Sequence, residues 1–424
     1  MSGAQALGWG ALAAGCTCLS MPQTGRDRGP AAVLMGLAAR VGLAVHPAPD
    51  DASAVGLAAG AALAGARALA DLTSGSLAAA GEMLRFCSEA GLPAVILAPD
   101  DGWTWPEALP VLELRPADLR EAFLMTAQAF NLAEKRGAPV VVRAKAALLG
   151  GGEPLPDLPW DVRIERGSRT VPGQESKPPP AAGLFCVPCP ATLEERRPLP
   201  PEVFLPEGSA DEPCAAASAL RLCARAWSEF GLPPQDILVV AGGSCCLPEP
   251  ILPKTCGLKV PPGRALCVAT GAKLANPGLW VVALDDGAAI LDRGLAQLLD
   301  AARLNEDLLV LFWTRGDAPP VDLLGLARQA GATFLARLPG ADEEAAAALV
   351  AEALAHKGFA LAQCPCPSGG AAAGPAGVLH EQTGRPTYQE TEPCLAERGA
   401  PVGLALDLRP RLCARLAQEQ GRGI

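Results

Sequence analysis

A set of cysteines stands beside the predicted ends of helices and strands, where side chains of distant segments can meet. Cys214 begins a predicted helix, Cys245 and Cys246 follow one predicted strand, and Cys364 and Cys366 follow another. In a parallel sheet the loops after the strands gather at the carboxyl edge, where ligand sites form. Cysteine thiolates are the usual ligands of an iron–sulfur cluster. These cysteines therefore favour a metal site, with small buried hydrophobes as the alternative.

The other cysteines divide by their surroundings. Four lie inside predicted helices or strands and are interpreted as small core residues: Cys16, Cys87, Cys223 and Cys267. A Cys-x-x-Cys pair, Cys186 and Cys189, lies in a proline-rich stretch, and this spacing is common in metal sites. The chain holds 15 cysteines, but its length and alanine content argue against a disulfide scaffold.

Helix-like and strand-like segments alternate through both halves of the chain. In the first half we predict helices over 53–70 and 117–136 and strands over 94–98 and 140–142. In the second half we predict helices over 215–230, 264–276, 294–304 and 342–356, and strands over 237–240, 279–282, 308–312 and just before Cys364. This alternation predicts an α/β fold, with parallel sheets flanked by helices in two domains.

Composition predicts where the domains end and which partners are excluded. We expect a first domain over 1–150, a proline-rich linker over 151–210, a second domain over 211–372 and a C-terminal extension over 373–424. With 35 basic and 45 acidic residues, a net charge of −10 and only 4% aromatic residues, the chain is not expected to bind nucleic acid.

The sequence also bears on the compartment. The first basic residue is Arg26, so the N-terminus lacks the charged region of a signal peptide. No apolar run has the roughly 18–20 residues needed to cross a bilayer. We therefore expect no membrane span and a reducing, cytoplasmic location.

Several segments of the second half resemble one enzyme family. They read GLPPQDILVVAGGSC over 231–245, PGRALCVATGAKLANPGL over 262–279, AGATFLAR over 330–337 and HKGF over 356–359. Together they resemble the β subunit of 2-oxoacid:ferredoxin oxidoreductases. The resemblance implies a thiamine diphosphate-type fold, thiamine diphosphate with Mg²⁺, and a 4Fe–4S cluster.

The first half resembles the pyrimidine-binding domain of the same family's α subunit. The matching segments are ALGWGALAAGC over 6–16, MPQTG over 21–25, GAALAGARA over 60–68 and EAFLMTAQAFNLAEKRGAPVVV over 121–142. One chain thus looks like a fusion of the pyrimidine-type and diphosphate-type halves. The order of the two halves resembles that of the indolepyruvate-type enzymes, and the sequence of the second half is closer to those of the 2-oxoglutarate and pyruvate types.

The resemblance implies the CoA-dependent oxidative decarboxylation of a 2-oxoacid, with electrons passing through the cluster to ferredoxin or another redox subunit, as in anaerobic metabolism. The competing reading is a pseudoenzyme, that is, a non-catalytic subunit that carries a cluster or a structural role in a larger redox complex. Either reading implies association with itself or with a partner, and the small-residue helix beginning near Ser53 suits close packing.

The family's cluster ligands can be carried over to this sequence. Counted without gaps, the first pair falls on Asp211 and Cys214. The third ligand falls on Cys245, and Cys366 is the preferred position for the fourth. Asp211 departs from the family cysteine, and a carboxylate is a harder ligand for iron than a thiolate. The alternates that could substitute are Cys246, Cys364, Cys186 and Cys189.

The family's Mg²⁺ and diphosphate ligands fall on a less well-matched segment. The family's metal-binding Asp falls on Gly287, and a shift by one residue restores Asp286. The family's Asn falls on Thr314 or Arg315, and an arginine there would oppose Mg²⁺. These departures predict weak thiamine diphosphate binding or none.

The catalytic positions of the pyrimidine-type half are also altered. The family's catalytic Glu falls on Asp51, one methylene shorter, and the family's substrate-contacting Thr falls on Thr24. The segment after Ala98, where the family carries a substrate-binding Arg, is short, reads PDDG over 99–102 and contains no arginine.

Overall fold

The computed structural model describes residues 1–25, 29–105, 111–152, 158, 162–166, 184–185, 200–204, 214–243, 255–314, 321–366 and 376–388. Contacts within the chain divide these residues into two compact units, one ending near residue 168 and one beginning there. Asp211, Cys245 and Arg315, and the alternates Cys246, Cys186 and Cys189, lie outside the described residues.

The first unit is built on a six-stranded parallel sheet of order β2-β1-β3-β4-β6-β5. Its strands are β1 (Cys18–Pro22), β2 (Ala44–Ala48), β3 (Ala68–Asp71), β4 (Val95–Pro99), β5 (Leu112–Leu114) and β6 (Val140–Ala144). Its helices are α1 (Gly3–Ala13), α2 (Gly29–Val41), α3 (Asp51–Leu63), α4 (Gly81–Glu89), α5 (Leu119–Arg136) and α6 (Ala146–Gly150).

Small residues let the helices of this unit approach each other closely. Side chains of α1, α2 and α5 share one apolar core with the sheet. A Cβ added at Gly10 would lie 2.4 Å from the Phe123 carbonyl oxygen, so α1 and α5 require glycine at this contact. Every residue of α3 after Asp51 is buried. The core of this unit therefore depends on close approach of small side chains.

A buried arginine joins three segments of the first unit. The Arg67 guanidinium is 1% exposed and forms an ion pair with Glu134 at 3.0 Å. It also donates to the Ala14 carbonyl at 2.7 Å, to Asn131 Oδ1 at 2.8 Å and to the Glu165 carbonyl at 2.9 Å. Arg67 thereby ties the end of α1 and the segment over 162–166 to α5.

The second unit is built on an eight-stranded sheet of order β14-β12-β13-β11-β10-β8-β9-β7. Its strands are β7 (Leu184–Phe185), β8 (Ile237–Gly242), β9 (Cys256–Val260), β10 (Trp280–Asp286), β11 (Leu308–Trp313), β12 (Phe334–Arg337), β13 (Phe359–Cys364) and β14 (Gly377–Glu381). The two edge strands, β7 and β14, are antiparallel to their neighbours, and the inner pairings are parallel.

Helices accompany this second sheet. They are α7 (Ala215–Glu229), α8 (Ala265–Ala275), α9 (Gly287–Ala289), α10 (Leu295–Leu304), α11 (Leu323–Ala330) and α12 (Glu343–Ala355), with a π-helical turn over 290–294. Side chains of α7 and α12 share one apolar core with the sheet. Among the described residues, no helix is long and apolar enough to cross a membrane.

The parallel α/β fold predicted from the sequence is confirmed, and one predicted helix is wrong in extent. The prediction over 53–70 covers most of α3, but the chain leaves the helix after Leu63 and enters β3 at Ala68. Alanine and leucine dominate both elements, so the pattern has no change of period to mark the boundary. The domain limits remain a prediction, although the antiparallel edge strands lie within the predicted linker and the predicted extension.

We expect Arg67→Ala to lower the free energy of unfolding by about 3–5 kcal/mol, because it removes a buried guanidinium that pairs with Glu134 and donates to two carbonyl groups. Urea unfolding followed by circular dichroism measures the change. The matched control is Arg166→Ala, which removes a partly exposed partner of the same carboxylate and should cost at most about 1 kcal/mol. Equal losses from the two variants would contradict a structural role for the buried guanidinium.

Candidate functional site

The predicted residues of the first unit lie at the carboxyl edge of its sheet. Thr24 is exposed in the turn that follows β1, and Asp51 opens α3 just after β2. The loop after β3 reaches Asp51 through Ser76. Because β2, β1 and β3 are adjacent and parallel, their carboxyl ends meet at one edge. The structure thus places Thr24 and Asp51 after neighbouring strands.

Only one of the two oxygens of the Asp51 carboxyl group has a hydrogen-bond partner among the described residues. Its Oδ2 accepts a hydrogen bond from the Ser76 backbone N–H at 2.8 Å. A Cβ added at Gly75 would lie 2.0 Å from Oδ1, so the loop needs glycine to pass this carboxyl group. Oδ1 is buried and has no hydrogen-bond partner among the residues that the structure describes. Desolvation raises the pKa of Asp51, and the Ser76 N–H opposes this effect.

A second carboxylate, which sequence analysis missed, fixes the loop around Asp51. Asp71 ends β3, is 4% exposed and accepts from the Ala31 N–H at 2.6 Å in the first turn of α2. Its other oxygen accepts from Thr73 Oγ1 at 2.7 Å. Burial raises the pKa of Asp71, and these hydrogen bonds oppose the change. The sequence signal was a short apolar run followed by Asp, which the overextended helix prediction concealed.

An arginine also lies at this edge, although the segment after Ala98 contains none. Arg143 pairs across the sheet with Ala98 and is 1% exposed. Its guanidinium lies 3.2 Å from Asp101, 3.3 Å from Glu113 and 3.7 Å from Asp100. With three carboxylates around it, this guanidinium already has compensating charge.

The predicted metal-binding oxygens of the second unit lie at the carboxyl edge of its sheet. Asp286 ends β10, pairs across the sheet with Trp313 of β11, and is followed by Gly287. A Cβ added at Gly287 would lie 3.2 Å from Thr314 Oγ1, so these neighbouring strand ends are close. Gln363 of β13 donates to Thr314 Oγ1 at 3.4 Å. The structure therefore places Asp286, Gly287 and Thr314 at the ends of two adjacent strands, and their role as ligands stays a prediction.

The adjacent Asp285 points elsewhere and was not predicted as a site residue. Its Oδ2 accepts from the Gly263 N–H at 2.9 Å and from the Ala265 N–H at 3.5 Å, at the start of α8. Its Oδ1 accepts from the Asp286 N–H at 3.0 Å. Burial raises the pKa of Asp285 to about 7, although these backbone N–H groups lower it. Asp285 therefore anchors the loop before α8 to the strand end that carries Asp286.

The described part of the predicted cluster consists of cysteines around one core. Cys214 caps α7 and is disulfide-bonded, and Cys366 packs against the same apolar cluster. Cys364 ends β13, and burial raises the pKa of its thiol to about 12. Among the described residues, no group of three or more His, Cys, Asp or Glu side chains could hold a metal. The cluster stays a prediction, since Asp211 and Cys245 lie outside that part of the chain.

Sequence analysis interpreted four cysteines as core residues, and this is confirmed. All four are buried: Cys16, Cys87, Cys223 and Cys267. Burial raises the pKa of the Cys223 thiol well above its usual value, and the charge of neighbouring Cys364 adds to the effect. The Cys223 thiol therefore stays protonated and unreactive near neutral pH.

Comparison with known proteins gives the family resemblance and the fold. No family model matches the chain. It is 31% identical over 174 residues to the 2-oxoacid:ferredoxin oxidoreductase subunit beta of Saccharolobus solfataricus, covering 34% of this chain and 57% of the relative. The chain thus spans little more than half the length of this curated relative. The predicted resemblance to 2-oxoacid:ferredoxin oxidoreductase β subunits is confirmed.

Two solved structures share the fold over most of the chain. One is a putative thiamin diphosphate-dependent enzyme from Mycobacterium smegmatis, with TM-score 0.55, 15% identity, and coverage of 84% of this chain and 97% of that one. The other is the thiamine diphosphate-dependent 4-hydroxybenzoylformate decarboxylase of Rhodococcus jostii RHA1, with TM-score 0.56, 13% identity, and coverage of 86% and 99%. At these identities the likeness shows the fold alone.

The raised pKa of Asp285 predicts how stability changes with pH. Because the folded-state pKa of about 7 exceeds the unfolded value of about 3.9, the folded state binds the proton more tightly. This contribution is fully present below the unfolded pKa and is lost as the pH rises through about 7, by at most about 4 kcal/mol. The free energy of unfolding of the wild type, relative to Asp285→Asn, should therefore fall between pH 5 and pH 8.

Urea unfolding of both proteins at these two pH values measures this difference. Asp292→Asn is the control, because that side chain is 72% exposed and should leave the pH slope of the wild type unchanged. A slope that Asp285→Asn also leaves unchanged would show that this carboxyl group is ionised in the folded state throughout the range.

Proposed function

We propose that this chain is a fused subunit of a 2-oxoacid:ferredoxin oxidoreductase-like enzyme. In the proposed reaction a 2-oxoacid and CoA yield CO₂ and an acyl-CoA, and the two electrons released leave one at a time through a 4Fe–4S cluster to ferredoxin. Family resemblance supports the reaction class. The structural observation that carries the proposal is the buried Asp51 Oδ1, which has no hydrogen-bond partner among the described residues.

The first unit offers a group suited to a protonated ring nitrogen. A half-buried carboxyl group with a raised pKa can share a proton with a heterocycle, as a general acid or base does. Ser76 donates to Oδ2, and Oδ1 keeps an unused acceptor that a ligand would satisfy. Asp51 would hold the aminopyrimidine of thiamine diphosphate, and bound cofactor would supply the carbon centre that adds to the 2-oxoacid. Thr24, exposed after β1, is the proposed substrate contact.

The second unit offers oxygens suited to a magnesium ion. Asp286 and Thr314 supply hard oxygen ligands on adjacent strand ends, and Mg²⁺ prefers such ligands. Gly287 allows this approach, because any larger residue would crowd Thr314. These residues would hold Mg²⁺ and the diphosphate. One carboxylate and one hydroxyl are few protein ligands for Mg²⁺, so we expect Mg²⁺ and thiamine diphosphate to bind weakly.

One observation favours a non-catalytic subunit as the second candidate. The Gly263 and Ala265 N–H groups at the start of α8 already donate to Asp285. Such N–H groups at a helix N-terminus are suited to phosphate, and here a carboxylate of the chain itself occupies them. If the same N–H groups must bind diphosphate, the chain serves a larger redox complex without binding the cofactor.

The proposal includes partners and a compartment. The curated relative is named as a subunit, which supports a complex. We propose association with a redox partner such as ferredoxin and with further subunits or a second copy. Of the nine described cysteines, Cys214 is disulfide-bonded and the other eight are thiols. This majority of thiols supports the reducing cytoplasm that we propose as the location.

We expect Asp51→Asn to reduce CoA-dependent ferredoxin reduction by the purified complex about 100-fold or more, because a lost general acid or base costs this much. Isothermal titration with thiamine diphosphate and Mg²⁺ should show weak binding that the variant retains. Asp118→Asn is the control, since Asp118 caps a different helix of the same unit, α5. No saturable cofactor binding by the folded wild type would favour the non-catalytic candidate, and full activity in Asp51→Asn would remove Asp51 from the mechanism.

Once the disulfide at Cys214 is reduced to release its thiolate, the proposed cluster predicts about four iron and four sulfide per chain after anaerobic reconstitution. Cys214→Ala and Cys245→Ala should lose most of this iron. Cys223→Ala should keep it, because this thiol is buried within α7. Iron and sulfide analysis with visible absorbance measures the outcome. Iron far below this level in the reconstituted wild type would refute the cluster while leaving the Asp51 proposal intact.

A further inference from the structure

A cavity of about 180 Å³ lies at the amino ends of β10 and β11. Leu279 and Trp280 line it where β10 begins, and Leu308 lines it where β11 begins. The candidate magnesium ligands stand at the other end of the same strands, roughly 20 Å away along β10. This cavity is therefore separate from the site described above.

Two lysines give the cavity its charge. Lys273 is 7% exposed, and its Nζ donates to the Leu279 carbonyl at 2.9 Å and lies 3.0 Å from Asp307 Oδ2. An ammonium has three N–H donors, so one remains for a ligand in the cavity. The Lys357 Nζ lies 3.9 Å from the same Asp307 oxygen. Two ammonium groups against one carboxylate leave the lining one positive charge in excess.

A histidine adds a polar group to the rim without adding charge at neutral pH. The His356 Nε2 is hydrogen-bonded to Thr333 Oγ1 at 2.9 Å. Desolvation lowers the pKa of His356, and Glu381 and Asp307 act in the opposite direction. The imidazole is therefore mainly neutral at pH 7 and lines the cavity as a hydrogen-bonding group.

The remaining wall is apolar and of limited size. Trp280, Leu309, Ala353 and Leu354 contribute hydrophobic surface. An apolar cavity of about 150 Å³ is large enough for benzene. A ligand matched to this cavity has a body of about that size and one negative charge for the lysines.

We propose that this cavity binds a small organic monocarboxylate with an apolar body, its carboxylate beside Lys273 and Lys357 and its body against Trp280 and Leu309. A carboxylate accepts the remaining Lys273 donor, and its single charge matches the excess on the lining. The apolar body gains by leaving water. This site does not depend on the proposed enzymatic function, because it shares no residue with the candidate site.

Titration of the full chain with benzoate, followed by the NMR signals of the histidine rings, tests the proposal. The chain has only 3 histidines, so His46 and His380 serve as internal references for His356. We expect saturable shifts of His356 alone, with a dissociation constant on the order of 1 mM for a ligand of this size. No saturable shift of His356 would overturn the proposal.

Two further probes separate the charge from the apolar body. Inorganic phosphate has charge without an apolar body, and benzyl alcohol has the body without charge. Both should bind at least about tenfold more weakly than benzoate, because each lacks one of the two interactions. Phosphate binding as tight as benzoate would overturn the assignment to an organic monocarboxylate, and equal binding of benzyl alcohol would overturn the role of the lysines.

Variants test the two lysines. Lys357→Glu should weaken benzoate binding about fivefold or more, because it reverses an exposed charge at the rim of the cavity. Lys135→Glu is the control: it makes the same charge change on the first unit and should leave benzoate binding unaltered. Lys273→Met should abolish binding, with circular dichroism reporting whether it folds. If Lys273→Met does not fold, the affinity of Lys357→Glu for benzoate is the remaining test. An affinity equal to that of the wild type would refute the proposed site.

Discussion

The parallel direction of the inner strands is the constraint on which both candidate sites depend. It brings the ends of the strands and the residues that follow them to one edge, so Asp51 of the first unit and Asp286 of the second both lie at the carboxyl edge of their sheets. Groups far apart in sequence, such as Asp286 and Thr314, become neighbours through the register of β10 with β11. The opposite edge receives the residues that precede the strands, which is why the lysine-lined cavity forms there.

In both units, buried charged side chains are paired with hydrogen-bond or ion-pair partners. Arg67 receives a carboxylate and carbonyl groups, and Asp71 and Asp285 receive backbone N–H groups at the start of a helix. Each arrangement offsets the desolvation of the charged group and joins elements that are distant in sequence. These contacts hold the loops that surround Asp51 and Asp286, so the geometry of the candidate sites rests on residues behind them.

The sequence predicted elements well where local signals agreed. Helix α5 has Asp118 as its cap, an amphipathic pattern and Gly137 in the left-handed conformation at its end, and its prediction is confirmed within two residues. The boundary between α3 and β3 was missed because the residue types do not change. Of the two neighbouring acids, the sequence could not tell that Asp285 turns inward to α8, since this depends on pairing between distant segments. The lysine-lined cavity likewise arises from elements far apart in sequence.

The close approach of Gly242 to the Asp285 carboxylate makes the residue allowed at one position depend on the residue at the other. A Cβ at residue 242 would lie 2.1 Å from the Asp285 carboxylate, so no other amino acid fits there while the acid is present. Replacing Asp285 by a smaller residue removes the three atoms nearest to that Cβ, so a side chain at residue 242 is accommodated more easily. Relatives that lose this acid should therefore accumulate side chains at the end of β8, and laboratory evolution should find the two changes in that order.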